Sequence, residues 1–574
     1  MSQTYLTAAA WPAALALPLL LAFAILSPSL RRASLALAPL AALPALGLAL
    51  LGEGGAELPW VLLGMSLGLD GTTRVFLLFT ALLWTVAGIY ARSYMAGDAN
   101  RHRFFAFFLI TMTGNLGLIL ARDIASFYLF FVLMSFSAYG LVIHDATSKA
   151  RRAAQVYLVM TIIGEAFVLP AVLISASISA TNELAGVSAA VAGSPARDTV
   201  IALALIGFGV KAGAIPLHLW LPLAHPAAPT PASAVLSGTM IKAGLLGWLH
   251  FLPAGEAGAP GWGTLVMLLG LAAVFFGVLA GATQSDPKTV LAYSSISQMG
   301  LMTLALGVGL ATPDAWPLAL TAILAYAAHH GLVKGALFLG VGVAQKAATP
   351  LSRRAVFAAL VFAALVIAGA PLTSGASAKE TLKEALYASV TLSPGLLEAL
   401  IQLGAAGTTV LLIRFLQVLP RQEAGKSPPP GMWVPWAALM TGVAGAVLLL
   451  PEPVAATLSL SALWPVALGA AGAAAAVLLV RRGALRPPHI PEGDLLIPAL
   501  SLLAALYGLW DGRVRPVWAG WRSWSAGQYQ RILESSHRLD RATLLLEDKM
   551  RPWTIAGTIF VLLVSGLLAL AALG

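Results

Sequence analysis

The chain has 574 residues, of which 59% are hydrophobic and only 10% are charged, and its mean hydropathy is +0.86. Soluble domains carry about 25% charged residues, so this composition excludes a water-soluble fold and predicts a membrane protein. The formal charge of +10 does not indicate nucleic-acid binding, because the arginines stand at the ends of apolar runs. The chain has no cysteine, so we expect it to hold no cofactor, and we expect any redox cofactor to sit on another chain.

Apolar runs long enough to cross a bilayer, about 17–25 residues each, follow one another along the chain. No Lys or Arg precedes the first run, which we therefore interpret as a retained helix and not as a secretory signal. We predict an all-α polytopic protein of about sixteen or seventeen transmembrane helices. The predicted spans are 8–26, 34–52, 72–91, 104–121, 124–143, 155–175, 199–222, 231–251, 263–282, 290–310, 318–342, 355–376, 396–418, 432–450, 463–480, 494–510 and 553–573.

Positive charge is concentrated in every second loop between these segments. An excess of Lys and Arg is typical of cytoplasmic loops, so we expect the N-terminus to lie outside and the protein to sit in the inner (cytoplasmic) membrane. The residues concerned are Arg31, Arg32, Arg92, Arg101, Arg103, Lys149, Arg151, Arg152, Lys288, Lys346, Arg353, Arg354, Arg481, Arg482 and Arg486.

Residues 511–551 depart from this pattern. Trp518, Trp521 and Trp524 stand beside arginines there, which is typical of an amphipathic helix lying along the membrane surface. A last transmembrane helix, 552–574, follows. Counting spans puts the surface segment outside, whereas its basic residues favour the cytoplasm, so its side of the membrane stays open.

Two segments contain a proline close to a lysine. Lys211 and Pro216 lie in the seventh segment, and Pro371 and Lys379 lie in the twelfth. An offset of five segments inverts the second unit relative to the first. Broken helices at matching places of inverted repeats indicate the ion pathway of a transporter.

Ionisable residues inside the apolar segments are the candidate functional residues. A charge at the bilayer centre costs at least ~2.5–3.5 kcal/mol on insertion scales, so such residues are rarely incidental. We interpret them as a relay for protons or cations, in which His330 and Lys334, four residues apart, share one helix face and exchange a proton through water. For Arg414, snorkelling or helix capping is an equal alternative. The candidates are Glu165, Lys211, Lys242, His329, His330, Lys334, Lys379, Glu380 and Arg414.

We expect neither a metal site nor a catalytic site in this chain. Apart from the adjacent His329 and His330, His218 and His225 form the only histidine pair that is close in sequence, but no carboxylate accompanies them and zinc requires three or four ligands. A phosphate-binding Gly-rich loop and a nucleophile motif are both missing. The chain alone is therefore not expected to catalyse bond chemistry, and whether it serves an oxidoreductase complex stays open.

The chain resembles a known family in four runs, which are VKAGAIPLHLWLPLAHPAAPTPASAVLSGTMIKAG (210–244), DPKTVLAYSSISQMG (286–300), HHGLVKGALFLGVG (329–342) and IAGAPLTSGASAKE (367–380). The runs are similar to the antiporter-like subunits, the large proton-conducting membrane subunits of respiratory complex I and of Mrp-type sodium/proton antiporters. The first run is most similar to the large membrane subunit of hydrogenase-4 and formate hydrogenlyase. The resemblance covers roughly residues 65 to 420.

The resemblance implies a core of fourteen helices with two inverted five-helix repeats, broken seventh and twelfth helices and a lateral helix that ties the subunit to its neighbours. The implied division is 1–103 for helices 1–3, 104–251 for the first repeat, 263–418 for the second repeat, 432–510 for additional helices, 511–551 for the lateral segment and 552–574 for the last helix.

The resemblance also implies a role for each buried lysine. Lys211 matches a lysine that pairs with a carboxylate, and Lys242 matches the lysine that connects the two repeats. His330 and Lys334 match the histidine and lysine of the eleventh helix, and Lys379 matches the terminal lysine of the twelfth. Asp286 and Lys288 match a loop pattern with a structural role.

One position departs from the family. The fifth helix of relatives carries a glutamate in a pattern like FWELMS, and here FFVLMS places Val132 at that position. Glu165 lies where some members have an aspartate, so it is the candidate substitute partner of Lys211. Ser237 and Tyr326 stand where some relatives have histidine. Without a substitute carboxylate, the first half of the pathway would be altered or silent.

The sequence therefore predicts an antiporter-like subunit of a multisubunit membrane complex that moves protons, or exchanges sodium for protons, in contact with lipids and other membrane subunits. Two alternatives stay open. The chain could be a structural subunit that no longer pumps, which Val132 favours, or a proton-coupled subunit of an inorganic-carbon uptake system.

Overall fold

Long apolar helices joined by short loops form the computed structural model of the protein. The structure describes residues 3–482, apart from 53, 60, 62–63, 390–391, 420–427 and 453, together with residues 484 and 490. These residues belong to one unit, Met1–Asp494, and a second unit comprises Leu495–Gly574. The predicted spans 494–510 and 553–573 and the lateral segment 511–551 lie outside the described residues.

The described residues of the first half of the chain form twelve α-helices. A short π-helical turn, Leu236–Met240, joins the last two. They are α1 (Gln3–Leu26), α2 (Arg31–Leu37), α3 (Leu43–Leu51), α4 (Gly71–Tyr94), α5 (Arg101–Leu120), α6 (Ile124–Val142), α7 (Ser148–Ser179), α8 (Val187–Ala192), α9 (Arg197–Ala212), α10 (Trp220–Ala227), α11 (Thr230–Val235) and α12 (Ile241–Phe251).

The second half of the described chain forms eight more helices. They are α13 (Pro260–Ala282), α14 (Pro287–Ala311), α15 (Trp316–Lys346), α16 (Pro350–Ala368), α17 (Ser374–Tyr387), α18 (Pro394–Val418), α19 (Pro430–Gly445) and α20 (Leu460–Arg481). Within the described ranges, thirteen helical segments are long and apolar enough to cross a membrane, and Ala10–Leu26 is a shorter one. The predicted all-α polytopic fold is confirmed, and the protein is a multi-pass membrane protein.

Two transmembrane segments are interrupted, as predicted. The seventh predicted span divides into α9 and α10, because α9 ends at Gly213, whose φ of 71° is left-handed. The twelfth divides in the same way at Gly369, whose φ is 76°. Pro216 and Pro371 both lie in the non-helical stretches between the half-helices. Each interruption exposes backbone carbonyl groups inside the protein, where a cation or an ammonium group can bind them.

A short hairpin was not predicted. Strands β1 (Gly54–Leu58) and β2 (Met65–Leu69) pair antiparallel between α3 and α4. The Asp123 carboxylate fixes it, since it accepts a hydrogen bond from the Ser66 backbone N–H at 3.0 Å and also caps α6. The two strands have five residues each. Such short strands give no distinct hydropathy pattern beside the long apolar helices that surround them.

The helices α13 and α14 approach each other through glycines. Gly263, Gly270 and Gly277 recur every seven residues on α13, and a Cβ built on Gly270 would stand 2.6 Å from the Gly300 carbonyl oxygen of α14. Membrane helices associate by close packing across small residues of this kind. The backbones of α13 and α14 therefore pack closely against each other in the second predicted repeat.

We expect Gly270→Leu to lower the thermal stability of the purified protein in detergent. The added side chain would meet backbone atoms and force α13 and α14 apart, and overpacking of this kind costs about 1–3 kcal/mol. Gly442→Leu is the matched control, because a Cβ on Gly442 of α19 meets nothing within 4 Å. Equal unfolding temperatures for both variants would contradict the close approach of α13 and α14.

Candidate functional site

The buried lysine of the first predicted repeat lies at the end of a half-helix. Lys211 occupies the last turn of α9, where the carbonyl end of the helix favours a cation. Its Nζ donates to the Tyr157 hydroxyl at 3.1 Å, and that hydroxyl donates to the Ser135 carbonyl at 2.7 Å. Tyr157 thus joins α9 to α6 and α7, and it orients the Lys211 ammonium group.

Glu165 of α7 is the acidic residue near Lys211. The two groups interact electrostatically and line one small cavity together with Ser135 and Tyr157. Tyr128 hydrogen-bonds Glu165, while the buried Glu165 Oε2 has no hydrogen-bond partner within the described part of the chain. Val132 lies on α6, one turn before Ser135. An acidic residue is therefore present at this cavity although the fifth predicted segment lacks one.

Lys242 lies at the junction of the two predicted repeats. The π-helical turn that precedes it leaves the Ser237 carbonyl available, and Lys242 Nζ donates to that oxygen at 2.7 Å. The same Nζ stands 2.7 Å from His330 Nδ1 of α15. Turns of this kind inside α-helices recur at functional sites. The direct contact between Lys242 and His330 brings the predicted relay residues of the two repeats together.

Lys334 is fully buried one turn beyond His330. Its Nζ donates to the Leu291 carbonyl at 2.8 Å and to the Ser294 hydroxyl at 2.6 Å, both on α14. It also interacts electrostatically with Lys242 and with His330. His330 Nε2 has no hydrogen-bond partner among the described residues. The predicted exchange between His330 and Lys334 through water stays a prediction.

His225 is a member of this cluster that sequence reasoning does not identify. It is buried, it stacks on Phe338, and neither ring nitrogen has a hydrogen-bond partner within the described ranges. It interacts electrostatically with Lys334, Lys288 and Lys242. In the sequence, His225 belongs only to a histidine pair that is not expected to bind a metal, and no periodic pattern in α10 indicates that it faces the lysines.

Lys288 lies in a helix and not in the loop where the sequence placed it. It stands in the first turn of α14, is buried, and its Nζ donates to the Ala228 carbonyl at 2.7 Å. Asp286 caps the same helix by accepting from the Lys288 and Thr289 backbone N–H groups. The structural role implied for Asp286 and Lys288 stays a prediction, and helix capping and this carbonyl contact support it.

Lys379 is a buried lysine at the second helix break. It lies in α17, but its Nζ donates to the carbonyl of Ala368, the last residue of α16. His329 links the same break to α15, since its Nδ1 stands 2.9 Å from the Ser374 hydroxyl, and it interacts electrostatically with Lys379. Lys211 thus lies in the last turn of α9, and the Lys379 ammonium group reaches the carbonyl end of α16.

Glu380 and Arg414 lie at the edges of this arrangement. Glu380 accepts from Lys383 Nζ at 2.9 Å, and Lys383 is a buried residue that no sequence motif marks although it follows Lys379 by four residues. Arg414 Nε donates to the Gln284 carbonyl at 2.9 Å just beyond the end of α13. This contact corresponds to the helix-capping alternative for Arg414.

A separate polar cluster lies in the loops outside the membrane segments. His144 Nε2 stands 3.0 Å from Asp98 Oδ2. One side-chain nitrogen or oxygen atom from each of Asp98, His144 and Asp145 lies within 4.8 Å of the other two. Desolvation raises the pKa of Asp98, but hydrogen bonds from His144 and from the Asn100 backbone outweigh it, so the pKa lies below its ordinary value. The cluster ties the loop after α4 to the loop after α6.

Family profiles of known proteins cover the part of the chain that contains the buried lysines. A family profile described as "NADH:quinone oxidoreductase/Mrp antiporter, TM" matches residues 121–400, and one described as "NADH-Ubiquinone oxidoreductase (complex I), chain 5 N-terminus" matches residues 61–105. Hydrogenase-4 component B of Escherichia coli is 32% identical over 48% of this chain and 43% of its own length. A probable potassium/proton antiporter protein of Rhizobium meliloti is 35% identical over 47% of this chain and 27% of its own length. The matches thus span less than half of these relatives.

Two solved structures share the fold. The Mrp complex of Dietzia sp. DQ12-45-1b contains a chain that matches with a TM-score of 0.70 and 22% identity, over 88% of this chain and 61% of that one. A chain of the membrane-bound sulfane sulfur reductase, an archaeal respiratory membrane complex, matches with a TM-score of 0.64 and 22% identity, over 98% of this chain and 99% of that one.

The interrupted helices and the buried lysines define a polytopic membrane protein of the antiporter-like class. The chain belongs to the family of NADH:quinone oxidoreductase and Mrp antiporter membrane subunits. This confirms the resemblance identified in the sequence, including its similarity to a hydrogenase-4 component.

Proposed function

We propose that this chain is a proton-translocating subunit of a multisubunit complex in the cytoplasmic membrane, in contact with other membrane subunits and with lipids. The observation that carries the proposal is the 2.7 Å contact between Lys242 and His330. It joins one buried ionisable group from each predicted repeat, and further buried lysines lie at the break after α9 and at the break after α16. Isolated structural lysines would not need to meet in this way.

The chemistry of the proposal is proton exchange between neighbouring buried bases. A buried amine is held between its charged and neutral forms by opposing effects of desolvation and nearby charge. Lys211 has Glu165 and Tyr157 beside it, Lys242 has His330, and Lys379 has Glu380. The histidines supply neutral acceptors between the lysines, so each step transfers one proton between two adjacent groups.

The names of the relatives support the proposal that the chain works in a membrane complex that moves ions. One is named a component of hydrogenase-4 and another is named for potassium/proton antiport, and the two solved structures are membrane complexes. We propose that protons are the common ion and that the partner subunits decide whether redox chemistry or a cation gradient is coupled to their movement.

We expect Lys379→Ala to abolish proton movement while the complex still assembles. The variant removes the group at the second helix break, and a positioned proton-transfer group contributes about 10²–10⁴-fold to rate. Lys379→Arg should fail as well, because arginine keeps its positive charge but stays protonated in proteins.

The test uses the whole complex purified through this chain and reconstituted into proteoliposomes that enclose a pH-sensitive dye. Proton movement is followed after a pulse of sodium, of potassium or of the substrate that the purified complex turns over. Wild-type rates in both Lys379 variants, at equal amounts of complex, would favour the structural alternative instead.

A further inference from the structure

The helix α17 carries a second buried lysine beyond Lys379. Lys383 is only 6% exposed, and it follows Lys379 by four residues, so both side chains lie on one face of the helix. The two lysines interact electrostatically. Two like charges at this spacing destabilise a helix, and a charge within a membrane protein is costly. The pair therefore requires a compensating arrangement.

Three helices supply that arrangement. Lys383 Nζ donates to Glu380 Oε1 of α17 at 2.9 Å and to the Ser461 hydroxyl of α20 at 3.1 Å. It stands 3.7 Å from Glu398 Oε1 of α18. With its amide oriented to satisfy both of its neighbours, Gln402 of α18 accepts from the same Nζ at 3.0 Å. Lys383 is thus held by two carboxylates and two neutral acceptors.

The two carboxylates that contact Lys383 are more exposed than Lys383 itself. The side chains of Glu380 and Glu398 are 22% and 29% exposed, whereas that of Lys383 is 7% exposed. The Tyr387 hydroxyl, at an exposed position, donates to Glu398. The carboxylates therefore lie between a buried base and the surface, on the side of the membrane that the loop charges predict to be outside.

We propose that Lys383 is the outermost proton-exchanging amine of the second repeat, which takes a proton from Lys379 and gives it to Glu380 or Glu398 at the surface. The inference rests on the proposed function. In this step, the Lys383 ammonium group first loses a proton to Glu380 or Glu398, which releases it to water. The neutral Lys383 amine then takes a proton from the Lys379 ammonium group, and no electrons are transferred.

A purely structural role makes a different prediction. In that case Lys383 only fastens α17 to α18 and α20 through its carboxylate pairs, and any permanent cation of similar reach would serve. Arginine pairs well with carboxylates but does not release its proton. Lys383→Arg therefore separates exchange of a proton from the holding of a charge.

The experiment measures proton movement and thermal stability of the whole reconstituted complex carrying Lys383→Arg. We expect stability near that of the wild type and a loss of proton movement of about 10²-fold or more. Glu384→Gln is the control with near-normal transport, because Glu384 is an exposed acidic residue on the same helix. Wild-type transport in Lys383→Arg overturns the proposal.

A second variant tests the proposal if the complex that carries Lys383→Arg does not assemble. In Glu380→Gln/Glu398→Gln, the amide oxygens still accept hydrogen bonds from Lys383 but cannot take its proton. Reduced transport in this assembled variant supports the proposal, and wild-type transport overturns it. If Lys379→Arg also transported normally, the proposed function itself would fail, which is a separate result.

Discussion

Replacing Lys242 by methionine should leave an assembled complex that no longer moves protons. Methionine is a flexible apolar side chain of similar length, so it can fill the buried space that Lys242 leaves. The Ser237 carbonyl and His330 Nδ1 would each lose a partner, and an unsatisfied buried polar group costs about 1–3 kcal/mol. We therefore expect a loss of stability that still permits assembly, and a loss of transport of about 10²-fold or more.

The matched control for this variant is Lys346→Met. Lys346 is an exposed lysine at the end of α15, the helix that carries His330. Transport in the control should stay near that of the wild type, and both variants are compared by the amount of complex recovered from membranes. Loss of the complex in Lys242→Met, with no assembled inactive form, would instead assign Lys242 to a structural ion cluster.

Glu165→Gln should impair transport and Val132→Glu should partly restore it. Glu165 interacts electrostatically with Lys211, and loss of one partner leaves the buried ammonium group uncompensated. Breaking a fully buried pair costs about 3–5 kcal/mol, and we expect less here because Glu165 is only half-buried. A glutamate at position 132 lies one turn from Ser135, which lines the same cavity as Lys211.

The measurement is transport in Glu165→Gln, in Val132→Glu and in the double variant, at equal amounts of complex. Coupled groups give non-additive effects in such a cycle, whereas independent groups add. Additive effects would therefore refute the pairing of Glu165 with Lys211. Normal transport in Glu165→Gln would mean that the first half of the pathway is silent.

Hydropathy alone predicted most of the described fold. Long apolar runs must be helical in a membrane, because every backbone polar group needs a partner inside the segment. Pro216 and Pro371, each close to a lysine, also marked both helix breaks correctly. The β1 and β2 hairpin was missed, since strands of five residues do not stand out against neighbouring helices in hydropathy.

The candidate site was only partly accessible from the sequence. Lys242 and Lys334 were found because charged residues inside apolar runs are conspicuous. Their contacts could not be derived, since the 2.7 Å approach to His330 depends on the π-helical turn at Leu236–Met240 and on tertiary packing. Tyr157 was missed because tyrosine is uncharged, and His225 was missed because it was considered only as one of a histidine pair for a metal site. Lys383 was missed because it lies beyond the matching run, in a polar stretch of α17.

Proton uptake by the reconstituted wild-type complex tests the central claim most directly. Internal pH and membrane potential are recorded together in proteoliposomes, with the Lys242→Met complex as the blank and a protonophore to define full equilibration. The account predicts that a cation or substrate pulse changes internal pH with the wild-type complex and not with Lys242→Met. Equal pH changes with both complexes, or no pH change with an otherwise active wild-type complex, would contradict it.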